Sequence, residues 1–357
     1  MKKAKLITGL DIGSSRVSAL TAEIGKDDSF NIIGHVAQAS KGVSRASIMD
    51  LGEATDSVSK ILTRLSEKTA GRKLGDIYVN ISGQSVKGVL SRGMIPLSIR
   101  GREITRMDMA RCVNAAGTTH IPFDREMLHR VVHKFSIDDQ SWIKNPIGLY
   151  AARLSCEVYV VSADSNHIQN IYKCVNNAGY DIKKLVFTGM ADAAALLGEE
   201  EKEAGVVLVD MGASITELSF FSGGSLSDIG IISGGGEDIK GNFRDSREFA
   251  DVIAKMGSRI NIFKATGARI NSIVLTGGIV FIDGIVEFLE EKLSLPVKVG
   301  VVKDVRGDLS GGDSMRLTTA IGLAKYAYNK RLKKLLEEKG IINRLSAKVV
   351  DIFNNYF

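Results

Sequence analysis

One pattern occurs twice in this chain and constrains its fold more than any other feature. LITGLDIGSSRV (6–17) and VVLVDMGASITEL (206–218) each read as an apolar strand ending on an aspartate, Asp11 or Asp210, then a Gly/Ser turn, then a second strand-like run. Backbone N–H groups in such a turn can face a phosphate, while the aspartate can hold a hydrated Mg²⁺. The copies lie 199 positions apart (210 − 11), which predicts two similar lobes gripping one nucleotide. A strand ending in D-x-G is common in α/β proteins, so either copy alone says little. The second is also degenerate, with Ala213 and Ser214 where glycines would allow closer backbone approach.

A third element sharpens the reading. IVLTGGIVFIDGIVE (273–287) is an apolar strand, a Gly-Gly turn and a helix, and such a turn admits an adenine and ribose without a Cβ clash. The ordered set D-x-G, D-x-G, GG, with helices between, resembles the actin/Hsp70/sugar-kinase superfamily. The expected fold is therefore α/β, an actin-like two-domain fold.

Composition fits a soluble protein of two domains: 357 residues, 44% hydrophobic and 25% charged. The net charge of +6 suits an anionic surface. No RNA-binding signature or recognition-helix pattern accompanies it, so nucleic acid is not expected as a partner. Cys112, Cys156 and Cys174 form no C-x-x-C pair and read as packing residues in a reducing compartment. The N-terminal apolar run is cut by Gly9 and Asp11, unlike a signal peptide, and no run approaches the ~20 apolar residues of a spanning helix. The chain is expected in the cytoplasm, with any membrane contact peripheral.

Along the chain, strands are expected at 6–24, 30–38 and 77–81, and a helix at 53–69, where Val58, Ile61, Leu62 and Leu65 keep helical spacing. From about 84 to 161 the rhythm changes to strand–helix–strand–strand, a compact α+β subdomain that is inserted rather than appended because the α/β pattern then resumes. The domain reading is 1–83 with 162–203 as the first actin-like domain, 204–313 as the second, and a helix at 314–330 returning to the first. His129 and His133 lie in a strand-like run, where spacing of four does not favour a shared metal. Phe220, Phe221, Phe281 and Phe288 are read as core, and Trp142 as a surface residue.

The C-terminal segment is the second sharp feature. In IINRLSAKVVDIFNNYF (341–357), Ile341, Ile342, Leu345, Val349, Ile352, Phe353 and Tyr356 share one helical face. KRLKKLLEEK (330–339) before it carries five basic and two acidic residues. A bulky apolar face beside cations is how a helix lies in a lipid interface, so 331–357 reads as a basic linker and membrane-targeting helix. The bland alternative is a terminal helix docked on the core.

With these residues in hand, the chain resembles the FtsA family of actin-like bacterial cell-division proteins over nearly its whole length. The most specific matches are REMLHRVVHKFSIDDQSWIKNPIGLYAARLSCEVYVV (125–161), with Asp139 to Gly148 at its centre, and IYKCVNNAGYDIKKLVF (171–187). The resemblance implies ATP and Mg²⁺ between the lobes and a family-specific subdomain at 84–161. It also implies filaments on the cytoplasmic face of the membrane at the division site, and recruitment of the ring protein FtsZ and other division proteins. By matching motif, Asp11, Gly13, Ser14, Ser15 and Arg16 resemble the first phosphate loop, and Asp210, Gly212, Ala213, Ser214 and Thr216 the second. Gly235, Gly236, Gly277 and Gly278 resemble the ribose and adenine turns, and Asp11 and Asp210 would hold Mg²⁺ through water. No catalytic residue is nominated, and ATP turnover is expected to be slow at most.

The chain departs from that family between Gly236 and Ser272, only 36 positions apart (272 − 236), where members carry a longer helical segment. The second domain is therefore read as shortened between 237 and 271. Two other readings stay open: a PilM-like actin homologue of pilus assembly, and an ATP-dependent sugar or metabolite kinase.

Overall fold

A computed structural model describes residues 5–25, 28–118, 121–138, 140–143, 145–239, 241–307, 309 and 311–338. The first hairpin is β1 (Lys5–Ile12) and β2 (Arg16–Ile24), continued by β3 (Phe30–Ala39). Helix α1 (Leu51–Lys68) starts where the Asp50 carboxylate accepts the Glu53 N–H, and it buries Ala54, Val58, Ile61, Leu62 and Leu65 on one face. Strand β4 (Asp76–Ile81) then runs parallel to β1.

The inserted unit follows as β5 (Lys87–Pro96), α2 (Arg106–Thr118), β6 (Arg125–Ile137), β7 (Gln140–Ile143) and β8 (Arg153–Asp164). Its sheet has the order β7-β6-β8-β5. Ile95, Ile104, Cys112, Ala116, Phe135, Leu154 and Val158 form part of a core of its own. Tyr159 and Val161 of β8 belong instead to the large core that the first lobe shares with Val206, Leu208, Leu226 and Ile229 of the second.

The α/β pattern resumes with α3 (Ser165–Asn177), β9 (Ile182–Phe187) and α4 (Thr188–Leu196). After the short α5 (Glu199–Ala204), the second hairpin is β10 (Val206–Met211) and β11 (Ile215–Ser222), extended by β12 (Ser225–Ser233). The last elements are α6 (Arg247–Ala265), β13 (Ser272–Gly277), α7 (Ile285–Leu293), β14 (Val297–Val299), α8 (Gly311–Arg316) and α9 (Thr318–Glu338).

The two lobes repeat one topology. The first sheet has the order β3-β2-β1-β4-β9 and the second β12-β11-β10-β13-β14, each an antiparallel meander with two parallel strands added. The registers match as well: Asp11 pairs with Ser18 and Asp210 with Glu217, seven positions on in both copies.

The segment between Gly236 and Ser272 holds a short 3-10 turn (Gly236–Asp238) and one α-helix, α6. Phe249, Val252, Ile253, Met256, Ile260 and Phe263 of α6 pack into the second lobe's core with Leu218 and Phe220 of the sheet. Helix α9 packs on the first lobe, where its Ala320, Ile321, Leu323, Ala324, Tyr326 and Ala327 are buried together with the preceding Leu317. It does not stop at 330 but runs to Glu338, because no Gly or Pro follows Gly322 before Gly340. Its approach is close: a Cβ on Gly9 of β1 would lie 2.0 Å from the Ala320 carbonyl oxygen, and one on Gly322 would lie 2.1 Å from that of Ala191 on α4.

All three cysteines are buried free thiols. His129 is a core residue whose Nε2 accepts the Phe187 N–H at 2.9 Å. Phe281, read as core, is 43% exposed. No described helix is long and apolar enough to cross a membrane. The lipid-facing set Ile341, Ile342, Leu345, Val349, Ile352, Phe353 and Tyr356 lies outside the described residues.

Candidate functional site

The two hairpins close in the same way. Gly13 N–H donates to the Arg16 carbonyl at 3.0 Å, and Gly212 N–H to the Ile215 carbonyl at 3.0 Å. Each bond pins the base of a three-residue turn, Gly13-Ser14-Ser15 or Gly212-Ala213-Ser214. Among the described residues, the amides of Ser14, Ser15, Ala213 and Ser214 donate no backbone hydrogen bond within the chain.

Both turns open into one cavity of about 420 Å³, within the range of small-ligand sites. Asp11, Gly13, Ser14, Ser15 and Arg16 line it from the first lobe, and Asp210, Gly212, Ala213, Ser214, Gly236, Gly277 and Gly278 from the second. Thus twelve of the residues singled out in the sequence meet in one place. Thr216 and Gly235 stand behind the lining. On β11, Ile215 and Glu217 face the cavity, so strand alternation turns Thr216 away, and its hydroxyl donates to the Gly234 carbonyl at 2.8 Å. Gly235 is needed for packing: a Cβ there would lie 2.4 Å from the Gly212 carbonyl oxygen, and its N–H donates to the Asp238 carboxylate at 2.7 Å.

Several lining residues carry no local signal. Asn80 enters from β4, where its side-chain oxygen accepts the Ile12 N–H at 2.7 Å and fixes the end of β1. Ser82, Thr188, Glu217, Glu237, Thr276, Met315, Arg316, Thr318 and Thr319 complete the polar and mixed parts of the wall. The one available clue was register. Asn80 lies one residue beyond Val79, which pairs with Leu10 beside Asp11, as Thr276 pairs with Asp210.

The floor is acidic. Burial, then the charge of Asp210, pushes the Asp11 carboxyl up to about 7, against a 3.1 Å hydrogen bond from Ser18 and the nearby Arg16 guanidinium. Burial raises Asp210 to about 6. Glu217 rises to about 8, chiefly by burial. Asp192 on α4 is fully buried close by and held well above the ordinary carboxyl range, by burial first and then by Asp210, against the nearby Thr319 hydroxyl. Carboxyl groups crowded in this way favour a bound cation, which would restore their ionised forms. Among the described residues no three His, Cys, Asp or Glu side chains gather closely enough to hold a metal directly, so a cation here would be met largely through water.

The residues present fit a magnesium–nucleotide. The Ser214 hydroxyl is buried in the wall with no partner, and four turn amides lack a backbone acceptor beside it. A Cβ on Gly278 would meet nothing within 4 Å, which leaves room along the wall. This donor set suits phosphate oxygens, with Asp11 and Asp210 placed to meet a hydrated cation.

Comparison with known proteins agrees with the architecture. Residues 83–162 match the family model described as the SHS2 domain inserted in FTSA. The chain is 29% identical to "Cell division protein FtsA" of Borreliella burgdorferi over 401 aligned residues, covering 96% of this chain and 97% of that one. It is 27% identical to the protein of the same name from Pseudomonas aeruginosa, covering 93% and 91%. An alignment of 401 positions exceeds this chain's 357 residues, so those relatives carry segments that this chain lacks. Among solved structures, a chain of the "PilM-PilN type IV pilus biogenesis complex" superposes with a TM-score of 0.63 at 14% identity, covering 89% of this chain and 97% of that one. The ethanolamine utilization protein EutJ from Carboxydothermus hydrogenoformans gives 0.51 at 14%, covering 91% and 90%. These two likenesses establish the actin-like fold and nothing further.

Proposed function

We propose that this chain, whose inserted unit matches the FtsA-type domain and which aligns with FtsA proteins over almost its whole length, is a member of that family and an ATP-binding, actin-like scaffold of bacterial division. In this reading it polymerises on the cytoplasmic face of the membrane at the division site and anchors the FtsZ ring. ATP is a conformational ligand joining the lobes, with turnover slow or absent.

The single observation that carries the nucleotide reading is the convergence of two equivalent acid-ended hairpins on one cavity, with turn amides free of internal bonds. Ser14, Ser15, Ala213 and Ser214 would hold phosphate oxygens, Asp11 and Asp210 a hydrated Mg²⁺, and Gly236, Gly277 and Gly278 the sugar side. When bound, the nucleotide supplies negative charge and a bridge between lobes. The residues of this chain bind it, orient it and set the charge around it. Thr216 and Gly235 support the second turn from behind.

The membrane part rests on sequence. Helix α9 ends at Glu338, and residues 341–357 follow it in the sequence. Many such segments on one filament multiply a weak individual affinity, so one modest amphipathic helix per protomer suffices.

Calorimetry with Mg-ATP tests the nucleotide part: saturable binding that Asp11→Ala and Asp210→Ala weaken at least tenfold is expected, and no heat at millimolar ligand in the unmodified protein refutes it. Flotation with anionic liposomes, with and without residues 341–357, tests the membrane part. Equal flotation of the truncated chain would exclude the helix as the anchor. Co-pelleting with FtsZ tests the partner.

A further inference from the structure

The outer edge of β12 is held at intervals by side chains from outside the second lobe. His133 Nε2 donates to the Leu226 carbonyl at 2.8 Å, and the Tyr159 hydroxyl accepts the Ile229 N–H at 3.0 Å. Gln84 Nε2 donates to the Ile231 carbonyl at 3.2 Å and to the Ser233 hydroxyl at 3.3 Å. His133 and Tyr159 belong to β6 and β8 of the inserted unit, and Gln84 lies in the connector that leads from β4 into it. The path for Tyr159 depends on a glycine: a Cβ on Gly88 of β5 would overlap its hydroxyl.

The inserted unit meets the first lobe in a different manner. Arg125, whose side chain is 7% exposed, ties the chain entering the unit to the chain leaving it. Its guanidinium donates to the Ser85 carbonyl on one side, and on the other to the Ser162 carbonyl at 3.0 Å, the Ser162 hydroxyl at 3.1 Å and the Asp164 carboxylate. The Ser85 hydroxyl in turn bonds to His167 Nδ1 on α3. This root is buried and many-bonded, whereas the hold on β12 is a short row of polar bonds with an exposed Gln84 at one end. The unit therefore moves with the first lobe, and any opening that carries β12 away from that lobe must break the row.

We propose that the inserted unit is a brace that latches the two lobes in the closed arrangement, with Gln84, His133 and Tyr159 as its latch on β12 and Arg125 as its rigid root. Its coupling to a ligand rests on the nucleotide reading above. A ligand gripped by both hairpins favours the closed arrangement, and linkage requires that whatever seats the unit on β12 tightens the ligand by the same factor. The path is short, because β12 pairs along its length with β11, whose Ile215 and Glu217 line the cavity. A partner that draws the inserted unit off β12 loosens the ligand, and a bound ligand resists that partner.

Double electron–electron resonance on the full chain reads the lobes directly, with nitroxides on Lys60→Cys of α1 and Glu291→Cys of α7, both exposed positions, while the three native thiols are buried. Without ligand, the labelled protein with its latch intact is expected to give one narrow distance distribution. Gln84→Ala with Tyr159→Phe removes latch bonds and keeps the ring packing. It is expected to broaden the distribution toward longer distances, and Mg-ATP to narrow it again. Gln84→Ala alone touches only an exposed side chain and is expected to give the same shift in smaller measure. By calorimetry the double variant is expected to bind Mg-ATP about fivefold more weakly, at the low end of ordinary coupling between sites. Distances unchanged by the latch substitutions overturn the brace, and so does unaltered ATP affinity in a variant whose lobes have opened. Absence of Mg-ATP binding by the unmodified protein overturns the nucleotide reading alone, since the ligand-free distances then still decide the brace.

Discussion

Ser82, just past the end of β4 in the first lobe, donates its hydroxyl hydrogen bond to the carboxyl of Glu217 on β11 of the second. The bond spans the floor of the cleft, and the other Glu217 oxygen is buried without a partner. Ser82→Ala leaves this carboxyl poorer still and is expected to cost about 1–2 kcal/mol of stability. It also removes a contact between lobes. Burying an amide in place of a carboxyl is cheaper, so adding Glu217→Gln is expected to recover part of the loss. Urea denaturation of both variants measures this, and an unchanged midpoint for Ser82→Ala would refute it.

The acidic floor sets the response to pH. Asp11, Asp210, Glu217 and Asp192 all have folded-state values raised above those of the unfolded chain. The folded protein therefore holds more protons than the unfolded one once pH exceeds about 4, and stability falls as pH rises through the values near 6, 7 and 8. Asp108 and Glu201, held low by hydrogen bonds from Arg102 and from Lys298 and Lys303, act in the opposite sense, losing their contribution as pH drops below the usual carboxyl range. A melting-temperature maximum on the acid side of neutrality is expected. Asp192→Asn is expected to raise the melting temperature at pH 8 and flatten its decline, which a calorimetric pH series reads directly.

The inserted unit is clasped to the second lobe by Tyr159. Its hydroxyl donates to Asp228 at 3.0 Å and accepts the Ile229 N–H at 3.0 Å, while Arg259 holds the same carboxylate at 2.8 Å. His133 adds a 2.8 Å bond to the Leu226 carbonyl. Tyr159→Phe keeps the packing and removes both hydroxyl bonds. It is expected to cost about 1–3 kcal/mol and to speed amide exchange along β12 more than along β10. Uniform exchange across the second sheet would argue against a local clasp.

Gly322 governs how the returning helix sits. Because a Cβ there would meet the Ala191 carbonyl oxygen at 2.1 Å, Gly322→Ala forces α9 away from α4. The expected cost is roughly 1–3 kcal/mol, typical of overpacking. Thr318 and Thr319 line the cavity one turn earlier on the same helix, so weaker nucleotide binding is expected to accompany the lower melting temperature. A stable variant with unaltered binding would contradict this.

How much of this was legible beforehand depended on whether the determining interactions were local. The hairpins at Asp11 and Asp210, the Gly277-Gly278 turn, the inserted unit and the returning helix could all be read from the chain. Their signals lie within a dozen or so residues: alternation, turn residues and helical spacing. The repeat itself implied that the hairpins would meet in a shared cleft.

Tertiary structure decided which side chains fill that cleft. Asn80 and Ser82 reach it because β4 lies parallel beside β1, and Glu217 because strand alternation on β11 points it inward while turning Thr216 outward. Phe281 read as core from its apolar surroundings, yet packing of Ile279, Val280 and Ile282 leaves it facing the cavity. Asp192, an unremarked acid in an alanine-rich helix, becomes fully buried only when α4 is covered by α9. Turn and strand chemistry is written in adjacent residues. Facing, burial and charge coupling depend on elements far apart in the chain and exist only once the sheets have paired and packed.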